Sequence, residues 1–304
     1  MQVPDAADAV RVPSSNVNTA LDKVRDGSAD AAMVPIENSV EGGVTATLDA
    51  IATGQELRIL REALVPISFV LVARPGTRIE DIRRISTHGH AWAQCRLWAE
   101  NNIPNAEYIP GSSTAAAAMG LLEGDTHYDA AICAPIVATE QPGLAVLAED
   151  IGDNPGAVTR FVLVGRPGAL PEPTGADKTT IVVPLPEDRP GALMEILDQF
   201  ATRGVNLSRI ESRPTGQYLG HYCFSIDADG HVADARVADA LAGLHRISPA
   251  TRFLGSYGRA DGHRTVVEPH TSDQAFRAAH AWVRDILSGA SVVPEYMSKA
   301  SPTA

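Results

Sequence analysis

The chain has 304 residues, a formal net charge of −12 and a sequence pI of about 5.2. This length allows two domains of ordinary size. An acidic chain repels phosphate backbones, so we expect no nucleic acid partner. The sequence has no apolar run of the roughly 20 residues that a membrane span needs, and its N-terminus lacks the basic and apolar segments of a signal peptide. Cys95, Cys133 and Cys223 show neither disulfide-like nor metal-ligand spacing, which favours a reducing compartment, the cytoplasm.

The first part of the chain alternates apolar runs with helical patterns. Predicted strands cover residues 31–36, 64–73, 85–87, 106–109, 129–134, 144–148 and 158–164, and predicted helices cover 45–52, 91–101 and 114–122. This alternation predicts an α/β architecture. Three prolines and two glycines between residues 166 and 175 favour neither a helix nor a central strand, so they predict a linker.

After the linker the pattern predicts a compact unit of about 80 residues, with strand–helix–strand–strand–helix–strand order. The strands are 179–185, 205–212, 220–226 and 251–257, and the helices are 190–202 and 232–244. Asp188 is the expected N-cap of the first helix, with Pro190 in its first turn. A unit of this size favours binding or regulation over catalysis. Residues 271–288 show the apolar spacing of a further amphipathic helix.

Two polar segments follow predicted strands in the first part of the chain. Asn38 and Ser39 lie between a strand and a glycine-rich turn, at a position where α/β sheets bind ligands. Ser112, Ser113 and Thr114 precede an alanine-rich helix, where hydroxyl and N–H groups suit a carboxylate. Taken alone, each segment is explained at least as well by an ordinary turn or helix cap.

Thr159 and Arg160 interrupt an otherwise apolar strand. A buried arginine needs a partner, because an unpaired charge in a protein interior is costly. Either a bound carboxylate or an acid of the chain, such as Glu37 or Glu41, meets that need. The residues alone leave these two alternatives open.

Two segments of the small unit suit a free amino acid. Gly191 lies at the start of a helix, where the absence of a side chain allows a ligand to approach the backbone. Residues 206–214 form a strand that ends in mixed charge. Together they could hold an ammonium and a carboxylate group, and the alternative is a solvated edge strand beside a helix cap.

These five segments, in this order, resemble the prephenate dehydratase family over roughly residues 25 to 258. The sequences VPIENS at 34–39, SSTAAA at 112–117 and TRF at 159–161 are similar to its active-site motifs. The sequences GAL at 191–193 and ESRP at 211–214 are similar to the two phenylalanine-binding motifs of its ACT domain. The resemblance implies an α/β dehydratase domain with two lobes, like type 2 periplasmic binding proteins, followed by a ferredoxin-like ACT domain.

The expected domain boundaries are residues 1–166 for the dehydratase domain, 167–177 for the linker, 178–258 for the ACT domain and 259–304 for a C-terminal tail. The resemblance also implies a homodimer or homotetramer, with phenylalanine as an allosteric effector bound by the ACT domains.

The family reaction converts prephenate into phenylpyruvate, carbon dioxide and water. It needs an oriented substrate and help for the departing hydroxide, and it requires no metal or cofactor. By resemblance, Thr159 is the catalytic hydrogen-bond donor to the leaving hydroxyl. The expected substrate-binding residues are Asn38, Ser39, Ser112, Ser113, Thr114, Arg160 and Phe161. The expected phenylalanine-binding residues are Gly191, Ala192, Leu193, Asn206, Leu207, Glu211 and Ser212.

Two features depart from the family pattern. Family members usually begin with a strand and a GPEGTF-like turn, which residues 1–20 lack, so we expect the chain to begin within the first lobe or to lack that element. His88 and His90 stand where the family often has SHPQALAQC, and without a nearby third ligand they favour a helix start over a metal site. Two alternatives therefore accompany the dehydratase: a non-catalytic amino-acid-binding sensor, and a dehydratase that prefers arogenate.

Overall fold

A computed structural model describes residues 8–123, 126–185, 187–214 and 222–290. The chain divides into two compact units. The first unit comprises residues 1–36, 43–63 and 161–304, and the second comprises residues 37–42 and 64–160. The chain therefore crosses between the units after residues 36, 42, 63 and 160. Residues 1–7, part of the segment that lacks the GPEGTF-like turn, lie outside the described residues.

The helices and strands up to residue 165 alternate as the sequence predicts. In chain order they are α1 (Val17–Arg25), β1 (Ala31–Asn38), β2 (Gly42–Gly43), α2 (Thr45–Ala52), β3 (Arg58–Pro66), β4 (Val70–Ala73), β5 (Arg84–Thr87), α3 (Gly89–Ala93), α4 (Arg96–Asn102), β6 (Glu107–Pro110), α5 (Thr114–Gly120), β7 (Ala130–Cys133), α6 (Pro135–Glu140), β8 (Ala145–Ala148) and β9 (Val158–Gly165). A short 3-10 helix covers Ile79–Asp81.

The remaining elements include the predicted ferredoxin-like unit. They are β10 (Asp177–Pro184), α7 (Ala192–Ala201), β11 (Leu207–Pro214), β12 (Tyr222–Asp229), α8 (Ala235–Ile247), β13 (Arg252–Gly258), a 3-10 helix at Pro269–Thr271 and α9 (Asp273–Leu287). Residues 220 and 221, the start of one predicted strand, lie outside the described residues. Within the described ranges, no helix combines the length and apolar character that a membrane crossing requires.

The described strands form three sheets. The first has the order β2-β1-β9-β3. The second has the order β6-β5-β7-β4-β8, in which β5 runs parallel to β6 and β7 while β4 runs antiparallel to β7 and β8. The third has the order β11-β12-β10-β13 and is antiparallel throughout. Parallel strands joined through helices are typical of α/β folds.

The central strands β10 and β12 of the antiparallel sheet pack on both faces, and successive side chains along each strand alternate between these faces. On one face, Ile181 and Ile226 pack with Phe200 of α7 and Leu244 of α8. The opposite face packs, through Val182, Cys223, Leu254 and Tyr257, against apolar residues within 21–36 and 48–59. The small domain therefore shares a hydrophobic core with the N-terminal part of the first unit.

The predicted strand at 64–73 is wrong, because the structure has two strands in different sheets. β3 already begins at Arg58 and ends at Pro66, and β4 begins at Val70. Pro66 has no N–H group to continue a ladder. A continuous apolar run does not reveal that its two halves join different sheets.

The predicted helix at 91–101 is also two helices, α3 and α4. The carboxylate of Asp153 accepts hydrogen bonds from the N–H groups of Leu97 and Trp98, at distances of 3.0 and 2.8 Å. These bonds satisfy the free donors of a helix N-terminus, so a new helix begins there. The helices α1 and α6 were not predicted.

The expected N-cap of α7 is wrong as well. The N-cap is Gly191, with a φ of 87° and no side-chain capping bond, instead of Asp188. Glycine adopts this left-handed conformation without the steric cost that other residues carry.

Candidate active site

The turn after β1 is held in place by Asn38 and Ser39. Oδ1 of Asn38 accepts hydrogen bonds from the N–H groups of Val40 (2.8 Å) and Glu41 (3.3 Å). The N–H of Ser39 donates to the carbonyl of Val158 (2.9 Å), and Oγ of Ser39 accepts from the N–H of Val158 (2.9 Å). Two of the predicted site residues are therefore fixed beside the residue that precedes Thr159.

Thr159 and Arg160 point to opposite faces of β9, because they are neighbours on a strand. The guanidinium of Arg160 is 5% exposed and donates to Oε2 of Glu37 at 3.1 Å. The internal ion pair is thus formed, and a carboxylate-binding role for Arg160 stays a prediction. Thr159 is partly buried, and its hydroxyl has no hydrogen-bond partner among the described residues. Phe161 is partly buried and belongs to the first unit.

The residues Ser112, Ser113 and Thr114 follow the end of β6, which lies parallel to β5. The N–H of Gly111 donates to the carbonyl of Thr87 (2.8 Å), so the segment lies beside the end of β5. Oγ of Ser113 accepts from the N–H of Ala116 (3.0 Å), and Ser113 therefore acts as the N-cap of α5. Within the described ranges, the hydroxyls of Ser112 and Thr114 make no hydrogen bond, which leaves both able to bind a ligand.

A histidine–glutamate contact connects the turn after β1 to the start of α3. Nδ1 of His90 lies 2.6 Å from Oε1 of Glu41. Nδ1 of His88 accepts from the N–H of His90 at 3.3 Å and so caps α3, as a helix start should. From its sequence, Glu41 is expected only as a possible partner of Arg160. Glu41 and His90 are 49 positions apart, and no local pattern reveals such a pair.

The two buried cysteines of the second unit are poor nucleophiles. Burial raises the pKa of Cys133 to about 11 and the pKa of Cys95 to about 12, with Asp153 adding to the latter shift. Both thiols are protonated at neutral pH, whereas the thiolate is the reactive form. The polar groups of the motif segments are instead hydroxyls, the Asn38 amide and the Arg160–Glu37 ion pair, which suit orientation and hydrogen bonding of a substrate.

The predicted effector residues lie at the start of α7 and along β11. Ala192 is buried, whereas Leu193 is 37% exposed. Nδ2 of Asn206 donates to Oδ2 of Asp229 at 2.8 Å, just before β11 begins with Leu207. β11 is an edge strand of its sheet among the described strands. The assignment of these residues to phenylalanine stays a prediction.

Glu211 and Ser212 are consecutive on β11 and therefore point to opposite faces. Ser212 is exposed. The carboxylate of Glu211 packs against Gly43, with Oε2 3.7 Å from Nη1 of Arg209. One ligand on one face of the strand therefore cannot contact both side chains directly.

A protein-family model described as prephenate dehydratase matches residues 2–169, more than half of the chain. The chain belongs to the prephenate dehydratase family. An ACT domain model matches residues 179–246. The expected fold class, an α/β dehydratase domain followed by a ferredoxin-like ACT domain, is therefore confirmed.

Similar proteins cover nearly the whole chain. A prephenate dehydratase of Amycolatopsis methanolica is 47% identical over 279 residues, which are 91% of this chain and 90% of that protein. The crystal structure of a prephenate dehydratase from Arthrobacter aurescens in complex with L-Phe is 81% identical, with a TM-score of 0.88, and covers 95% of this chain and 94% of that one. A structure described as GqqA, a novel type of quorum quenching acylase, is 30% identical, with a TM-score of 0.72 and coverage of 84% and 92%.

Proposed function

We propose that this protein catalyses the decarboxylating dehydration of prephenate to phenylpyruvate and binds phenylalanine as a regulatory effector. Family membership and the relatives of 47% and 81% identity support the reaction. The observation that carries the proposal is the hydroxyl of Thr159. This hydroxyl has no partner among the described residues. The preceding residue, Val158, is held by two hydrogen bonds to Ser39. A fixed backbone with a free donor suits hydrogen bonding to a reacting group.

The chemistry requires few protein groups. Loss of the ring carboxylate and the ring hydroxyl makes the substrate aromatic, which drives the reaction. Thr159 donates a hydrogen bond to the hydroxyl as it leaves with negative charge. In this proposal, the hydroxyls of Ser112 and Thr114 and the Nδ2 of Asn38, which have no partner among the described residues, donate hydrogen bonds that orient the substrate. Arg160, paired with Glu37, holds β9 beside β1 at the level of Thr159.

The test is phenylpyruvate formation from prephenate by the full chain and by two variants. In Thr159→Ala, kcat should fall by about 10²–10³, which is typical for removal of one donor that acts in a transition state. Thr159→Ser retains the hydroxyl and should keep most of the activity. A Thr159→Ala variant that is folded and as active as the wild type would refute the role of the hydroxyl.

Two alternatives have distinct outcomes in the same assay. Arogenate carries an ammonium where prephenate carries a ketone, so a higher kcat/KM for arogenate would reassign the substrate. A folded wild-type protein that binds phenylalanine in calorimetry but turns over neither substrate would be a sensor.

The site of the effector and the assembly are also proposals. We place phenylalanine at Gly191 to Leu193 of α7 and at the exposed face of β11, between the ACT domains of two subunits of a homodimer or homotetramer. The L-Phe complex of the Arthrobacter relative supports the ligand. Light scattering with and without phenylalanine tests the assembly.

The cysteines are free and buried, which fits a cytoplasmic protein.

A further inference from the structure

The strand β11 carries three of the predicted effector residues, and its side chains also contact residues that follow the active-site motif at 34–39. The carboxylate of Glu211 packs so closely on Gly43 that a Cβ atom there would overlap it. Arg213 makes a bidentate ion pair with Asp49 of α2, with Nε–Oδ1 and Nη2–Oδ2 distances of 3.0 Å each. Bidentate pairs fix the orientation of both groups as well as their separation.

The two faces of β11 have different surroundings. Arg209, Glu211 and Arg213 alternate on one face, with partners that include Asp227, Gly43 and Asp49. Ile210 and Ser212 alternate on the opposite face and are exposed. A ligand bound on the exposed face therefore reaches the strand without displacing the contacts on its other face.

Glu211 and Arg213 contact Gly43 and Asp49, which belong to a segment that is hydrogen-bonded to β1. The N–H of Val44 donates to the carbonyl of Ile36 (2.8 Å), and the hydroxyl of Thr47 donates to the carbonyl of Pro35 (2.5 Å). β1 itself ends at Asn38. A shift of Gly43 and α2 therefore acts on the strand that leads into the Asn38–Ser39 turn.

We propose that the Glu211–Gly43 and Arg213–Asp49 contacts transmit phenylalanine binding from β11 to the Asn38–Ser39 turn. This rests on the proposed function. The ligand contacts the exposed face of β11 at Ile210 and Ser212, while Glu211 acts on the opposite face as a positioning residue. Energetic coupling between two sites typically changes an affinity by about 5- to 150-fold. A Cβ atom on Gly43 would overlap the carboxylate of Glu211, so a larger residue at position 43 would force that carboxylate to move.

The experiment uses the full chain and measures the ratio of kcat/KM for prephenate without and with saturating phenylalanine, together with the Kd of phenylalanine by calorimetry. In Asp49→Asn, turnover without phenylalanine and a folded state should be retained. The response ratio, which is kcat/KM without phenylalanine divided by kcat/KM with it, should move several-fold toward 1. The charge-exchanged double variant Asp49→Arg with Arg213→Asp should regain much of the response to phenylalanine. The variant Gly43→Ala displaces Glu211 and should therefore change the response ratio.

Arg252→Ala is the matched control. Arg252 also donates to the end of α2, to the carbonyls of Ala52 (2.7 Å) and Gly54 (2.9 Å), but it lies on β13. Its loss should lower the melting temperature and keep the response ratio. This result, a lower melting temperature with an unchanged response ratio, is what the loss of a purely stabilising contact should give.

Three outcomes separate the proposals. A wild-type protein without turnover or without phenylalanine binding contradicts the proposed function. A responsive wild type whose ratio is unchanged in Asp49→Asn overturns the transmission by Arg213 and Asp49. An equal loss of response in Arg252→Ala and Asp49→Asn overturns the assignment to β11, because any weakening of the attachment of α2 would then suffice.

Discussion

The two faces of the ACT sheet differ in what they bury. The face under α7 and α8 packs Ile181, Val183, Phe224 and Ile226 against apolar helix residues, with the hydroxyl pair of Thr179 and Ser256 at one end. The opposite face mixes apolar residues with buried charges and hydroxyls. These polar contacts are Lys178–Glu62, Arg209–Asp227, Thr180–Asp227 and Thr180–Tyr257.

This difference separates two sources of stability. Apolar contacts tolerate small changes of shape, because the hydrophobic effect has no direction. Buried polar groups must meet their own partners, because each unpaired group costs the full desolvation penalty. We therefore expect the helix-facing side to hold the ACT domain together and the opposite side to specify how it attaches to residues 21–36 and 43–63 of the same unit.

The largest effect is expected at Glu62, whose side chain is 1% exposed and pairs with Nζ of Lys178 at 3.3 Å. Glu62 also accepts from the N–H of Ala260 (2.9 Å). Glu62→Met leaves the Lys178 charge buried without this partner, which should lower the free energy of unfolding by about 3–5 kcal/mol. Chemical denaturation measures the change.

The control for this prediction is the double variant Glu62→Met with Lys178→Met. It replaces the buried pair by apolar groups of similar length, which is often neutral or stabilising. A double variant as unstable as the single one would show that volume, and not the unpaired charge, accounts for the loss.

A smaller effect is expected at Thr180, which is fully buried. Its hydroxyl donates to Oδ1 of Asp227 (2.7 Å) and lies 2.6 Å from the hydroxyl of Tyr257. Thr180→Val keeps the shape and removes the hydroxyl, so the free energy of unfolding should fall by about 1–3 kcal/mol. Thr180→Ser retains the hydroxyl and tests whether the missing hydrogen bonds are the cause. Equal losses in the two variants would assign the effect to packing.

Much of the fold follows from local patterns, as β10 illustrates. The β-branched residues at 179–183 predict a strand, and a strand is observed. The same pattern does not show that Lys178 and Thr180 are buried. Their partners Glu62, Asp227 and Tyr257 are 116, 47 and 77 positions away. Burial of polar residues depends on such distant partners, so it cannot be predicted from the neighbouring sequence.

The candidate site shows the same limit. The motifs select Asn38, Ser39 and Thr159, and the Ser39–Val158 hydrogen bonds bring these segments together. The sequence leaves open whether Glu37 or Glu41 meets Arg160. The structure pairs Glu37 with Arg160 and Glu41 with His90. Two acids four positions apart in the same segment are equivalent as local signals, and only the tertiary structure distinguishes them.

The smallest effect is expected on the helix-facing side, at the fully buried Ile226. Ile226→Val removes one methylene from an apolar cluster and should cost about 0.5–1.5 kcal/mol. Ile226→Thr has nearly the same shape as the valine variant but adds a hydroxyl among apolar neighbours. An unpaired hydroxyl there should lower the free energy of unfolding by about a further 1–3 kcal/mol. The hydroxyl that stabilises position 180 would thus destabilise position 226. If the threonine and valine variants unfold at the same denaturant concentration, the helix-facing side accepts polar groups as readily as the other, and the distinction between the two faces fails.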